Sequence, residues 1–109
     1  MAIWRMIEEK LASDKEPYIA LNAIYEVQLS DVDDGIYQLE FQGGKAIIYY
    51  RSEKEPDCTL KLKTKYFQQF LHGNFNSATA FMTGKLKITG DIGLALKLEN
   101  MLNKYNLTS

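Results

Sequence analysis

Apolar residues recur at every second position through much of the segment between Ala23 and Lys63, and this periodicity constrains the fold more than any other feature. Side chains of a β-strand point alternately to opposite faces, so a period of two predicts strands with one buried face. Asp-Asp-Gly at 33–35 and Gly-Gly at 43–44 are turn signals between the first three strands. The sequence therefore predicts an antiparallel meander followed by a fourth strand, over residues 23–30, 36–41, 46–51 and 58–63.

The segment 2–13 has a different period. Its apolar residues Ile3, Trp4, Ile7 and Leu11 are three or four positions apart, which predicts an amphipathic helix. We interpret Trp4 as a core residue that packs this helix against the sheet. A place at the mouth of a pocket is the alternative interpretation.

Two short helices are predicted after the fourth strand. Thr64 is a predicted N-cap for the first, which carries an aromatic face and ends before Gly73. Asn76 is a predicted N-cap for the second, which ends at Gly84. The residues predicted to point inward from this second helix are Ala78, Phe81 and Met82.

A fifth strand over residues 85–89 leads into a last helix that Thr89 or Asp91 can cap. At about 100° per residue, this helix runs to about Tyr105 with one inward stripe. Leu96 lies off that stripe. We interpret it as an exposed surface residue, with contact to a partner or a membrane as the alternative. The stripe consists of Asp91, Leu94, Ala95, Leu98, Met101, Leu102 and Tyr105.

The bulk properties predict one soluble globular domain over residues 1–109. The chain is 46% apolar and 25% charged, and its net charge of −1 gives no global attraction to nucleic acid. Cys58 is the only cysteine, which excludes an internal disulfide and fits a reducing compartment. The first ten residues lack the apolar region of a signal peptide, and no apolar run is long enough to span a bilayer. We therefore expect a cytoplasmic protein.

The residues that could carry catalysis or hold a metal do not form a recognisable constellation. His72 is the only histidine and sits at a predicted helix end, where it can interact with the terminal carbonyls. Cys58 alternates with leucines and is predicted to be a buried small hydrophobe. The aspartates at 31, 33 and 34 fit a turn better than a calcium loop. We predict no enzyme activity, no catalytic residue, no metal and no cofactor.

Lysines occupy the polar positions of the fourth and fifth predicted strands, at Lys61, Lys63, Lys85 and Lys87. If these strands are neighbours, the four ammonium groups form a patch on the open face of the sheet. A solvated sheet face is one interpretation of this patch. Attraction to anionic lipid headgroups is the other.

The stretch from Ala80 to Leu98 resembles the sterol carrier protein type 2 family, which is a sterol-binding and lipid-transfer domain. The resemblance rests on Phe-Met-Thr-Gly-Lys-Leu-Lys-Ile-Thr-Gly-Asp at 81–91, followed by Gly-Leu-Ala-Leu-Lys-Leu at 93–98. Upstream, Asp-Cys-Thr-Leu at 57–60 and the aromatic segment 66–71 look like the fourth strand and following helix of that family.

The resemblance implies an α+β domain with a five-stranded mixed, mostly antiparallel sheet, helices packed on one face and an apolar cavity between the sheet and the C-terminal helices. It implies a tunnel for fatty acid, fatty acyl-CoA, sterol or phospholipid. It brings no catalytic residues. Residues 107–109 lack the peroxisomal targeting tripeptide of some members, which favours a bacterial-type cytoplasmic protein. The implied lining residues are Phe70, Phe81, Met82, Leu86, Ile92, Leu94, Leu98, Met101 and Leu102.

Two functional hypotheses follow. The first is a non-enzymatic carrier of long-chain lipids, with room for a transient contact with a membrane surface. The second is a filled accessory or interaction module in isoprenoid-lipid biosynthesis or in a larger enzyme assembly. Methionine and phenylalanine on short helices can line an adaptable pocket or fill an ordinary core, and periodicity does not separate these two outcomes. The oligomeric state stays open.

Overall fold

The computed structural model describes residues 2–105 and 107. Within these residues the predicted helices and strands are all present, with one additional 3₁₀ turn at Glu16–Tyr18. In chain order the elements are α1 (Ala2–Ser13), β1 (Ala23–Leu29), β2 (Ile36–Gln42), β3 (Lys45–Tyr49), β4 (Cys58–Leu62), α2 (Thr64–His72), α3 (Ser77–Met82), β5 (Leu86–Gly90) and α4 (Ile92–Leu102).

The strands form one sheet in the order β3-β2-β1-β4-β5. β1 and β2, and then β2 and β3, pair antiparallel, so the predicted meander is confirmed. β4 lies on the other side of β1 and runs parallel to it, with Cys58 opposite Tyr25. β5 is antiparallel to β4 and forms an edge. The predicted α+β class and the mixed, mostly antiparallel sheet are therefore confirmed.

The helices cover one face of the sheet and enclose the core. Trp4 of α1 is fully buried, and its ring stacks on Tyr37 at a centroid distance of 4.4 Å and on Phe67 at 5.2 Å. The side chain therefore packs α1 against β2 and α2, and the interpretation of Trp4 as a core residue is confirmed. Cys58 is 1% exposed and faces the same interior, as predicted.

A loop covers part of the opposite face of the sheet. Gln38 is fully buried there, and its Oε1 accepts hydrogen bonds from the backbone amides of Glu53 and Lys54. Lys54 Nζ donates to the carboxylate of Glu40 at 2.9 Å. These contacts fasten residues 52–54 over β2, while the lysines of β4 and β5 remain exposed.

The N-cap of α2 differs from the prediction. The helix begins at Thr64 and the cap position belongs to Lys63, whose side chain makes no capping hydrogen bond. Asp31, in the β1–β2 turn, supplies the capping acceptor instead. Its Oδ1 accepts 2.9 Å hydrogen bonds from the backbone amide and the hydroxyl of Thr64. Thr64 is thus a donor to a distant cap.

The caps of α3 and α4 follow the sequence. Asn76 accepts from the amide of Thr79, and Asp91 accepts from the amide of Gly93 at 2.9 Å. α4 ends at Leu102, earlier than the predicted Tyr105. The amide of Tyr105 bonds to the carbonyl three residues back, so the chain tightens into a turn there.

The inward residues predicted for α3 are wrong. Ala80 is the buried residue of this helix, at 3% exposure, whereas Phe81 is 43% and Met82 is 84% exposed, and Ala78 is also exposed. α3 lies at the sheet edge beside β5, so only one narrow side of it meets the core. Its other side contributes to the groove described next.

Candidate functional site

An apolar groove of about 230 Å³ lies between α3, β5 and α4. Nine of its ten lining residues are apolar and none is ionisable, whereas four other surface depressions each include charged side chains. We call it the groove. It is lined by Phe70, Ser77, Ala78, Phe81, Met82, Leu86, Ile88, Ile92, Ala95 and Leu96.

Two helices build the walls of the groove with the same spacing. α3 contributes the apolar residues at 78, 81 and 82, and α4 contributes those at 92, 95 and 96. Positions i, i+3 and i+4 of a helix share one face, so each helix presents a single apolar strip to the groove. Leu96 and Ile92 are each about half exposed at its rim.

Leu86, Ile88 and Phe70 complete the lining. Leu86 and Ile88 alternate along β5 toward the helices, and Leu86 is 1% exposed. Phe70 of α2 is equally buried and packs edge-to-face against Phe75. The lining is therefore continuous with the core, and the side chains of Phe81, Met82, Ile92 and Leu96 form its exposed rim.

The structure brings together five of the nine residues implied as lipid-lining: Phe70, Phe81, Met82, Leu86 and Ile92. The other four do not line the groove. Leu98, Met101 and Leu102 belong to the core on the sheet-facing side of α4, and Leu94 is half-buried beside them. The lining role of these nine residues remains a prediction.

Sequence reasoning missed Ser77, Ala78, Ile88, Ala95 and Leu96 as lining residues. The stripe predicted for α4 includes Ala95 and excludes Leu96, yet both residues border the groove. The signal for Leu96 was its spacing of four residues from Ile92, which places both on a second apolar strip of α4.

Ser77 is the one polar residue of the lining, and its hydroxyl proton is already engaged. Its hydroxyl donates a 2.5 Å hydrogen bond to Glu99 Oε2, which ties the start of α3 to α4. The groove thus offers apolar surface and little else. It can hold a hydrocarbon chain, and none of its lining residues is ionisable.

The groups that could support catalysis lie elsewhere and are poorly placed for it. Burial raises the pKa of the Cys58 thiol to about 11, with the carboxylates of Asp91 and Asp57 adding to the effect, so the reactive thiolate is disfavoured. His72 is exposed at the end of α2. Across residues 2–105 and 107, no three histidine, cysteine or carboxylate side chains cluster to hold a metal ion.

The described helices are also too short or too polar to cross a bilayer.

The sequence profile of the SCP-2 sterol transfer family matches residues 5–103, which is nearly the whole chain. The chain belongs to this family. Sterol carrier protein 2 of Homo sapiens is 32% identical over 103 residues, covering 91% of this chain and 19% of that protein. Hydroxysteroid dehydrogenase-like protein 2 of Bos taurus is 33% identical over 104 residues, covering 94% and 24%. The chain therefore spans about a fifth of the length of the curated relatives it matches.

Solved structures carry the same fold. Sterol carrier protein 2 of Yarrowia lipolytica, in its apo form, has a TM-score of 0.73 at 24% identity and covers 95% of this chain and 89% of its own. The sec-alkylsulfatase Pisa1 of Pseudomonas sp. contains it at a TM-score of 0.71 and 19% identity, over 88% of this chain and 15% of the enzyme. The ubiquinone synthesis protein UbiJ-SCP2 has a TM-score of 0.66 at 14% identity, over 86% and 74%.

Proposed function

We propose that this SCP-2 domain binds and carries long-chain lipids without catalysing a reaction. The observation that carries the proposal is the groove, whose lining is apolar at every position except Ser77. The ligand classes proposed are fatty acid, fatty acyl-CoA, sterol and phospholipid, since all of them offer an extended apolar body. Sterol carrier protein 2 among the relatives supports the same class of ligand.

The energetics favour broad specificity. Each methylene of the ligand that leaves water contributes about 0.8 kcal/mol to binding. The length of the acyl chain, rather than the headgroup, then sets the affinity. The Ser77 hydroxyl donates its proton to Glu99 and keeps only its acceptor capacity, so the lining offers few polar contacts to select a headgroup. At about 230 Å³ the groove is smaller than most ligand pockets, which span roughly 300–1,000 Å³. A long ligand would extend past Met82 or displace α3.

The proposal includes a cytoplasmic location and a transient contact with a membrane surface. A single buried thiol at Cys58 suits a reducing compartment. A carrier must also collect and deliver its lipid at a membrane.

Displacement of a fluorescent fatty acid by unlabelled lipids tests the proposal. Ala78→Trp places an indole in the groove at an exposed position, so we expect weaker binding of the probe and an unchanged thermal midpoint. The matched control is Ala20→Trp, which changes an exposed alanine outside the groove and should bind normally. Equal binding by both variants, or failure of the wild type to bind any member of a fatty acid, acyl-CoA and phospholipid panel, contradicts the proposal.

A second candidate is an accessory or interaction module, in isoprenoid-lipid biosynthesis or in a larger enzyme assembly. The observation that favours it is the exposed apolar rim of the groove, where Met82, Ile92 and Leu96 stand 84%, 48% and 49% exposed. The UbiJ-SCP2 and Pisa1 neighbours support this class of role, since the latter is an enzyme of which the fold is a small part. Native mass spectrometry of freshly purified protein separates the two: co-purifying lipid masses support the carrier, and lipid-free protein that binds none of the panel supports the module.

A further inference from the structure

Four lysines meet across the pairing of β4 with β5 on the face opposite the core. Lys61 lies directly opposite Lys87 in this register. Lys63 and Lys85 follow the next pair, Leu62 and Leu86, just beyond the strand ends. We call these four residues the lysine face. All four are exposed. Directly opposed side chains lie about 4.5–5.5 Å apart at Cβ, so the register places like charges side by side.

This arrangement is unfavourable for the domain by itself. Like charges directly opposite each other destabilise a sheet. Within residues 2–105 and 107, the ion pairs at 4.0 Å or less involve Arg51 and Lys54, and neither includes a member of the lysine face. Asp31 lies beside Lys63, but both bonds to its Oδ1 come from Thr64. The lysine face therefore keeps its positive charge available to an external anion.

An aromatic ring extends the basic surface toward the turn between α3 and β5. Lys85 Nζ lies 5.6 Å from the ring centre of Tyr66, and Lys65 Nζ lies 5.1 Å from the same ring. A depression of about 340 Å³ joins the lysine face, Tyr66 and the turn residues Thr83 and Gly84. The basic surface thus reaches the turn that closes α3.

The last residue of α3, next to this turn, has the most exposed large apolar side chain among the described residues. Met82 immediately precedes Thr83 and is 84% exposed, and Phe81 beside it is 43% exposed. Both residues also line the groove. Exposed apolar side chains next to a cluster of lysines are typical of surfaces that bind the boundary between headgroups and acyl chains.

We propose that the lysine face and the turn at Met82 dock on an anionic lipid bilayer. The lysines contact the headgroups, and Met82 and Phe81 enter the boundary below them. Docking in this orientation brings the exposed rim of the groove at Phe81 and Met82 to the bilayer, where a lipid can enter or leave. The purpose of the contact rests on the proposed function, whereas the docking itself does not.

Sedimentation with phosphatidylcholine vesicles, prepared with and without phosphatidylglycerol, tests the docking. Wild type should bind the anionic vesicles and lose binding as NaCl is raised. Each lysine near an anionic surface contributes roughly fivefold in affinity, so Lys61→Gln/Lys87→Gln should weaken binding on the order of 20-fold. The control Lys15→Gln/Lys45→Gln removes two exposed lysines that border a common depression beside β3, and it should bind as wild type. Equal losses in the two double variants would overturn the proposal.

The apolar component needs a separate variant. Met82→Ser should weaken binding to the anionic vesicles at a NaCl concentration where wild type still binds, without changing the thermal midpoint, because the side chain is exposed. Heparin supplies the alternative partner, a soluble polyanion. If heparin and vesicles bind equally well and Met82→Ser changes neither, the surface is one for soluble polyanions and the proposal fails. The fatty acid displacement assay, run without vesicles, reports on the groove alone, so its failure would overturn the carrier function and leave the docking result standing.

Discussion

The hydroxyl of Tyr25 donates a 2.8 Å hydrogen bond to the backbone carbonyl of Leu94, 69 residues further along the chain. Tyr25 lies on β1, the middle strand of the sheet, so this bond fixes the start of α4 over the sheet centre. Burial raises the pKa of the Tyr25 hydroxyl, which therefore remains a donor throughout the neutral range. The same first turns of α4 carry Ile92 and Ala95 into the groove.

Tyr25→Phe should lower the free energy of unfolding by about 0.5–1.5 kcal/mol. The ring and its contact with Phe41 are retained, so the loss reports the hydrogen bond to the Leu94 carbonyl. Urea denaturation measures the change. Tyr50→Phe is the control: Tyr50 is 53% exposed, and its substitution should stay within about 0.5 kcal/mol of wild type. An equal loss in both variants would show that the Tyr25 bond contributes nothing specific.

The sequence predicted the sheet well because its strands obey a strict alternation. A one-residue shift in register would point the side chains of Val27 and Leu39 toward solvent, so the pattern defines both the strand pairing and the buried face. Helix N-caps were also predicted correctly where the acceptor and donor are close in sequence, as at Asn76 and Asp91. The cap of α2 was not, because Asp31 and Thr64 are 33 residues apart and only the fold brings them together.

The groove was predicted less well, and the reason is geometric. α3 has six residues, fewer than two turns, so its apolar positions do not define which side meets the core. α4 is apolar on two strips, one toward the sheet through Leu98 and one toward the groove through Ile92 and Leu96. The single predicted stripe of α4 includes Leu98 and leaves Leu96 on the exposed surface, whereas Ile92 is among the lining residues that the family resemblance implies.

The difference between the two strips of α4 leads to a paired test with one substitution type. Leu98 is fully buried outside the groove, so Leu98→Trp should overpack the core and lower the free energy of unfolding by about 1–3 kcal/mol. Leu96 is 49% exposed at the rim, so Leu96→Trp should change stability by less than about 0.5 kcal/mol and weaken binding of the fluorescent fatty acid by covering the groove. Thermal unfolding and displacement measure the two effects. Reversed results would place the ligand against the sheet-facing side of α4.

The Asp31–Thr64 contact makes stability depend on pH. The bond from the Thr64 amide, followed by the bond from its hydroxyl, holds the pKa of Asp31 below its ordinary value of 3.8. A carboxylate whose pKa is lowered by folding stabilises the folded state above its unfolded pKa, and that contribution is lost as the pH falls through the folded value. The free energy of unfolding should therefore decrease in the acidic range as the Asp31 carboxylate is protonated.

Asp31→Ala should be less stable than wild type at neutral pH, because the first turn of α2 loses the acceptor for the Thr64 amide. The difference should shrink as the pH falls below 3.8, where the wild-type carboxylate also becomes protonated. Asp31→Asn retains a side-chain oxygen and should be intermediate at neutral pH, whereas Asp33→Ala, in the same turn and exposed, should follow wild type throughout. Urea midpoints measured from neutral to acidic pH decide the matter. A constant difference between wild type and Asp31→Ala at every pH would mean that the charge of Asp31 has no part in holding α2.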